Sequence, residues 1–283
     1  MSRIEVKDVS KSFKDTQALS CVNLCFEENT IYGLLGRNGA GKSTLLNIIN
    51  NRLFADSGRV TLDGVSLTEN TDALSSCFLA NENNLYPEGM KVSQALKWSQ
   101  EFYPDFDRAY AQKLCESFKL PVKKKIKDLS TGYQSIFRNI VALSVNVPFV
   151  FLDEPVLGLD ACHRDLFYRT LIEKYAKHPF TAVISTHLIE EAANLIEHVV
   201  VIRNGEIIRN EPLDTLLKSG YCISGPGAQI DAYMEGKEVI GVDTLGGLKT
   251  AYVIGTPDSR LPSGTEVSRM DLQKLFIRLT DGA

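Results

Sequence analysis

Apolar and polar positions change rhythm along this chain. Residues 4–9 and 21–26 alternate, the period of a strand with one buried face. Residues 30–35 form a short continuous apolar run that stops at Gly36, and 42–51 then take helical spacing. Short strands are expected at 60–62 and 77–80. From 92 to 118 the spacing predicts two helices, VSQALKWSQEFY and DRAYAQKLCESF, and 131–146 predicts another. Phe149–Asp153 reads as a fully apolar strand ending in an acid. Beyond it the pattern predicts helix at 164–177, strand at 181–185, helix at 188–196, and strands at 198–203 and 206–209 joined by an Asn-Gly turn. This alternation predicts an α/β core with a mainly parallel sheet, interrupted by a helical insertion.

After about residue 218 the texture changes. Gly and Pro punctuate short strand-like pieces, and a helix is expected at 270–280. Residues 1–219 therefore read as one domain, with a helical subdomain at about 82–148. Residues 220–283 read as a small α+β appendage whose role the pattern leaves open, with regulation or dimer stabilisation as alternatives.

Composition narrows the classes. With 283 residues and 44% apolar content the chain can bury a substantial core. A net charge of −4 argues against a nucleic-acid binder, and the basic run at 123–127 reads as a solvated loop. The six cysteines are scattered and match no zinc spacing, so they read as reduced thiols of a cytosolic protein. No uncharged apolar run approaches the ~20 residues that span a bilayer.

The chemistry begins at GLLGRNGAGKST, four glycines in the stretch 33–44. Gly36-x-x-x-x-Gly41-Lys42-Ser43 follows a strand and opens a helix, the setting of a phosphate-binding loop. Gly36, Gly39 and Gly41 free the backbone to turn its N–H groups, with that of Asn38, toward phosphate. Lys42 places an ammonium between β- and γ-phosphates, and Ser43, followed by Thr44, offers a hydroxyl to Mg²⁺. ATP and Mg²⁺ are the expected cofactors. Phe149–Asp153 then delivers Asp153 and Glu154 to the sheet edge where ligands bind. Asp153 suits a Mg²⁺-bound water, and Glu154 a general base.

Leu129-Ser130-Thr131-Gly132-Tyr133 lies just before that strand, where a helix begins. Ser130 reads on its own as an ordinary N-cap or as part of an anion site. With its position relative to the Asp-Glu pair, the segment resembles the LSGGQ signature of the ATP-binding cassette (ABC) superfamily. The resemblance covers about residues 3–220. It implies a P-loop NTPase core of ABC type and carries several roles over. Phe13 would stack on adenine, against the alternative of a core phenylalanine. Ser130 and Gly132 would cap the γ-phosphate held by a partner protomer. Asp160, in Gly158-Leu159-Asp160, would lie in the segment that crosses to the partner. His187 would contact the γ-phosphate, joining Glu154 and Lys42 in catalysis.

The chain departs from the family pattern in places. Asn81 stands at the family's glutamine, one methylene shorter but still an expected ligand of Mg²⁺ and nucleotide. Thr131 and Tyr133 replace a glycine and a glutamine, and Ile136 stands where arginine is common. The chain is similar to a Gram-positive bacterial group reading LSTGYxSIF and DEPVLGLDAxHRDLFY, encoded beside small permeases in efflux or antibiotic-response systems. The resemblance implies an ATPase subunit working as a head-to-tail homodimer, or a heterodimer with a second ABC ATPase. It would drive solute movement, in the export direction, through a separate integral membrane permease, placing the chain on the cytoplasmic face of the membrane. The insertion at 82–128, with Leu85-Tyr86-Pro87, would be the docking surface. A soluble ABC ATPase without a transport role and an ATP-binding sensor with weak hydrolysis are the alternatives.

Overall fold

The computed structural model describes residues 2–83 and 85–280. The chain begins with β1 (Arg3–Phe13), β2 (Thr16–Glu27), β3 (Ile31–Leu35), α1 (Lys42–Ile49), β4 (Ser57–Leu62) and β5 (Val65–Ser66). There follow α2 (Thr71–Leu74), β6 (Cys77–Ala80), α3 (Val92–Phe102), α4 (Arg108–Ser117), α5 (Thr131–Ser144) and β7 (Phe149–Asp153). Next are α6 (Ala161–Lys177), β8 (Thr181–Thr186), α7 (Ile189–Ala192), β9 (His198–Arg203), β10 (Glu206–Pro212) and α8 (Leu213–Lys218). The chain closes with β11 (Gly220–Pro226), α9 (Gly227–Met234), β12 (Glu238–Leu245), β13 (Leu248–Ile254), β14 (Glu266–Arg269) and α10 (Leu272–Thr280).

The central sheet runs β10-β9-β3-β8-β7-β6. Its strands pair in parallel except β10, which returns antiparallel beside β9. Parallel strands covered on both faces need apolar residues at every position, which is why the strand sequences read as continuous runs. Their alternate residues serve two cores. Phe149, Phe151, Leu34, Val183 and Val200 face a cluster shared with α1, β1 and β2. Val150, Leu152, Ile184, Val199 and Val201 face the opposite cluster, with α5 and α6. Each fully buried aliphatic or aromatic side chain there contributes roughly 1.5–3 kcal/mol.

A second sheet, β2-β1-β4-β5, is antiparallel and was not distinguished in the sequence pattern. It covers the α1 side of the central sheet. The predicted helix at 188–196 is corrected to the single turn of α7. Ile196 leaves the helix to pack on Gly33 of β3, where any Cβ would lie 2.5 Å from its Cδ1, so the chain turns early into β9. The Asn-Gly turn stands as expected, with φ 49° at Asn204 and 80° at Gly205.

Beyond α8 a four-stranded antiparallel sheet runs β12-β13-β11-β14. Tyr221, Ile223, Ala251 and Val253 bury one face under Ile230 and Tyr233 of α9. On the other face Cys222 and Tyr252 join Met270, Leu275 and Phe276 in the same continuous core as β7 to β9. Arg203 of β9 donates to the Leu279 carbonyl of α10.

Candidate nucleotide site

The C-terminal ends of β3, β6, β7 and β8 carry Gly36, Asn81, Asp153 and His187 to one edge of the sheet. This is the edge where ligands bind in open α/β folds. Between β3 and α1 the chain makes a tight loop, closed by the Ala40 N–H on the Arg37 carbonyl. Gly41 caps α1 with φ 110°, and a Cβ there would sit 2.6 Å from the Ala18 carbonyl oxygen of β2. Only glycine meets both demands. Asn38 and Gly39 are exposed on the outside of the loop, Ser43 is exposed and Thr44 half-buried on the first turn of α1.

Lys42 is 6% exposed. Its Nζ donates to the Gly36 carbonyl at 2.7 Å and the Arg37 carbonyl at 3.4 Å, and lies 3.9 Å from Glu154 Oε1. Burial pushes its pKa down, against the opposing pull of Glu154 and Asp153. The ammonium is thus folded into the loop whose backbone would otherwise face phosphate.

Glu154 follows β7 with a left-handed φ of 50°, which costs a non-glycine residue roughly 1–3 kcal/mol. Its N–H is fixed by the Ser185 carbonyl, and its Oε2 meets His187 Nδ1 at 2.8 Å. Glu154, His187 and Lys42 therefore converge. Asp153 Oδ1 and the neighbouring Ser185 Oγ are buried with no hydrogen-bond partner. Asp153 and Ser185 stand opposite each other in the β7–β8 ladder. An orphaned carboxylate oxygen is a hard donor suited to Mg²⁺ or its water. Among the described residues no cluster of three or more His, Cys, Asp or Glu could hold a metal, so phosphate and water would complete such a shell.

Phe13 is 47% exposed, which removes the core alternative. It ends β1 at a hairpin whose return strand, β2, abuts Gly41, and Lys11 Nζ sits 5.6 Å from its ring.

Asn81 is placed differently from the expected metal ligand. It is 5% exposed, and its Oδ1 accepts from Arg52 Nη1 at 3.0 Å and from the Asn83 N–H at 3.2 Å. Its Nδ2 donates to Asn47 Oδ1 at 3.3 Å, and Asn47 Nδ2 donates to the Ser43 carbonyl. Both ends of the short amide are engaged within the chain. Arg52 also donates to the Leu79 carbonyl, tying the end of α1 to β6. Neither Asn47 nor Arg52 carried a sequence signal, because the network joins segments about 30 residues apart.

Ser130 caps α5, accepting from the Tyr133 N–H at 3.3 Å, and stands exposed at the start of a helix of 14 residues. Gly132 is pressed on the next loop: a Cβ would lie 2.6 Å from the Gly158 carbonyl oxygen. Ser135 Oγ donates to the Leu157 carbonyl and Asn139 Nδ2 to the Pro155 carbonyl. One face of α5 is thereby stitched to the backbone that follows Glu154. Asp160 caps α6 through the His163 N–H, and this bond above all holds its carboxyl below the usual range.

A family model described as ABC transporter matches residues 19–157. The chain is 30% identical over 226 residues to the putative ABC transporter ATP-binding protein AlbC of Bacillus subtilis, covering 75% of this chain and 93% of that protein. It is 29% identical over 213 residues to the ABC transporter ATP-binding protein YtrB of the same organism, covering 75% and 73%. It spans 44% of the ribose import ATP-binding protein RbsA of Streptococcus agalactiae. In fold it resembles an ATP-binding cassette solved as a dimer in a post-hydrolysis state with ADP and Pi, with TM-score 0.66 and 24% identity over 74% of this chain and 98% of that one.

Proposed function

The chain is an ATP-binding protein of the ABC transporter family, and on that premise we propose how it works. Two such cassettes face head to tail. Each ATP lies between residues 36–44 of one protomer and 129–133 of the other. Turnover drives a separate membrane permease, in the export direction that the LSTGYxSIF resemblance implies. The partner cassette is a second copy or a homologous ABC ATPase. The observation that carries this reading is the exposed, Ser130-capped start of α5, held open by its stitching to 155–158. A helix N-terminus of this length, with a hydroxyl and free N–H groups, is a site for an anion from outside the chain.

Lys42 leaves the Gly36 carbonyl to meet the β- and γ-phosphates. Glu154 accepts the proton of the attacking water, and His187 exchanges its Glu154 contact for the γ-phosphate. Ser43 and Asp153 would hold Mg²⁺, which would supply neutralisation of phosphate charge. Loss of the γ-phosphate removes what both protomers grip, and the clamp opens.

No helix of the described residues is long and apolar enough to cross a membrane. Membrane attachment then runs through the permease. Leu85, Trp98 and Phe102 are exposed on the helical insertion, Phe102 at 70%, and Trp98 lines a cavity of about 420 Å³ with Pro87, Met90, Gln94 and Lys97. Such an apolar group on a free surface supports docking to another protein. The sensor alternative is favoured by one observation, the engaged amide of Asn81.

Glu154→Gln separates the readings. ATP should convert this variant to a dimer on gel filtration, where ADP does not, with turnover down roughly 10²–10⁴-fold. A variant that stays monomeric at saturating ATP excludes the dimer. Turnover equal to the parent's removes Glu154 as the base and leaves the sensor.

A further inference from the structure

His163 touches three separate parts of the chain. Its ring stacks on Phe118 at the end of α4, with centroids 6.3 Å apart and planes at 16°. It meets Tyr133 of the signature edge to face at 6.2 Å. Its Nδ1 lies 2.9 Å from Asp160 Oδ2. The backbone N–H of the same residue already satisfies Asp160 Oδ1 at 2.9 Å. Capping α6 needs only that second bond. The ring contact is therefore additional to the helix cap, and it fixes the outward oxygen of a carboxylate that is otherwise exposed. Since a carboxylate only accepts, Nδ1 must carry the hydrogen.

We propose that His163 is a positioning residue for the ATPase reaction, locking the Asp160 carboxylate to the signature helix through Tyr133. Tyr133 stands where the resemblance expects a glutamine, so the aromatic that departs from the pattern is the one that reaches His163. Together with the contacts of Gly132, Ser135 and Asn139 along 155–158, this makes the signature and the Asp160 segment one rigid unit. In the head-to-tail dimer, on which this inference rests, that unit faces the partner's nucleotide with both its serine and its aspartate. A shift of α4 and α5 on ATP contact then moves Asp160 with it, and occupancy of one site is felt at the other.

Two variants divide the ring's roles. His163→Phe keeps the aromatic contacts and loses the bond to Oδ2. His163→Asn keeps a donor at the δ position and loses the stack. Both retain the backbone bond to Oδ1, so the α6 cap survives. The expected result for His163→Phe is kcat reduced about 10-fold, given the steep cost of small misplacements. Its KM for ATP should be unchanged, and its Hill coefficient should fall from about 2 toward 1. His163→Asn should recover most of kcat but not the cooperativity, because the link to Tyr133 is gone. A purely structural role would lower the melting temperature and leave the Hill coefficient where it was. His163→Phe turning over with the parent's kcat and cooperativity overturns the inference. A parent that neither dimerises with ATP nor turns over cooperatively overturns the dimer reading instead, and this inference with it.

Discussion

In the proposed reading, nucleotide affinity turns on Lys42. Its ammonium is buried against the loop it serves, and hydrogen bonds from a charged group contribute about 1.5–3 kcal/mol each. Lys42→Met should therefore weaken ATP binding roughly 10- to 150-fold, read by fluorescent-nucleotide titration. Because burial depresses its pKa, the free protein loses the ammonium at lower pH than an ordinary lysine would. ATP affinity should fall as pH rises through that depressed value, and the Lys42→Met affinity should not follow it over the same interval. Residue by residue, the motif side chains were legible because each sits at the end of an apolar strand or the start of a helix. Arg52 was not, because its bond to Asn81 depends on how α1 lies against β6.

At the scale of elements, the seam between α5 and 155–158 has two testable stitches. Gly132→Ala pushes a methyl into the Gly158 carbonyl, and overpacking of this kind costs about 1–3 kcal/mol. The expected readout is a lower urea midpoint together with reduced turnover, since the signature is displaced from Asp160. Asn139→Ala leaves the Pro155 carbonyl without its donor, again about 1–3 kcal/mol, with no change in nucleotide binding by the isolated chain. A different element, α6, carries Lys174, whose Nζ donates to the Leu143 carbonyl and Asn146 Oδ1 and lies over Tyr110 and Phe180. Burial lowers its pKa to about 8 from 10.5. The unfolded chain then binds more protons between those values, so stability rises with pH across about 8 to 10.5. The cost of burying the charge is fully present below pH 8. Solvent screening limits the gain to no more than ~2 kcal/mol. Denaturation of the parent and Lys174→Met at pH 7.5 and 10 should show the rise only in the parent.

For the whole molecule, the segment beyond α8 is the element whose relation to the rest the sequence described least. Its sequence texture changes after about residue 218, and β11 begins at Gly220. Composition gave no sign that Met270, Leu275 and Phe276 would complete the core on the β9 side of the central sheet. Leu275 is fully buried, so Leu275→Ala should cost about 2–5 kcal/mol and lower the transition of the entire chain as one event in calorimetry. A separate, early transition confined to part of the chain would show instead that the C-terminal sheet melts on its own. The same packing predicts that a chain cut after Lys218 exposes the buried Ile189 and Ala192 of α7, against which α10 packs, and aggregates on heating.

The places along the chain of the central-sheet strands β3, β6, β7, β8, β9 and β10, and with them the delivery of Gly36, Asp153 and His187 to strand ends, followed from the sequence alone. Apolar runs fix where a strand lies and where it stops, and parallel strands put all their C-terminal ends on the same side. Tertiary structure decided which of those side chains touch. His187 on Glu154, Arg52 on Asn81, Tyr133 on His163 and Ile196 on Gly33 all join residues far apart in the chain. Local periodicity carries no record of such separations. They are set by how the packed layers lie on one another.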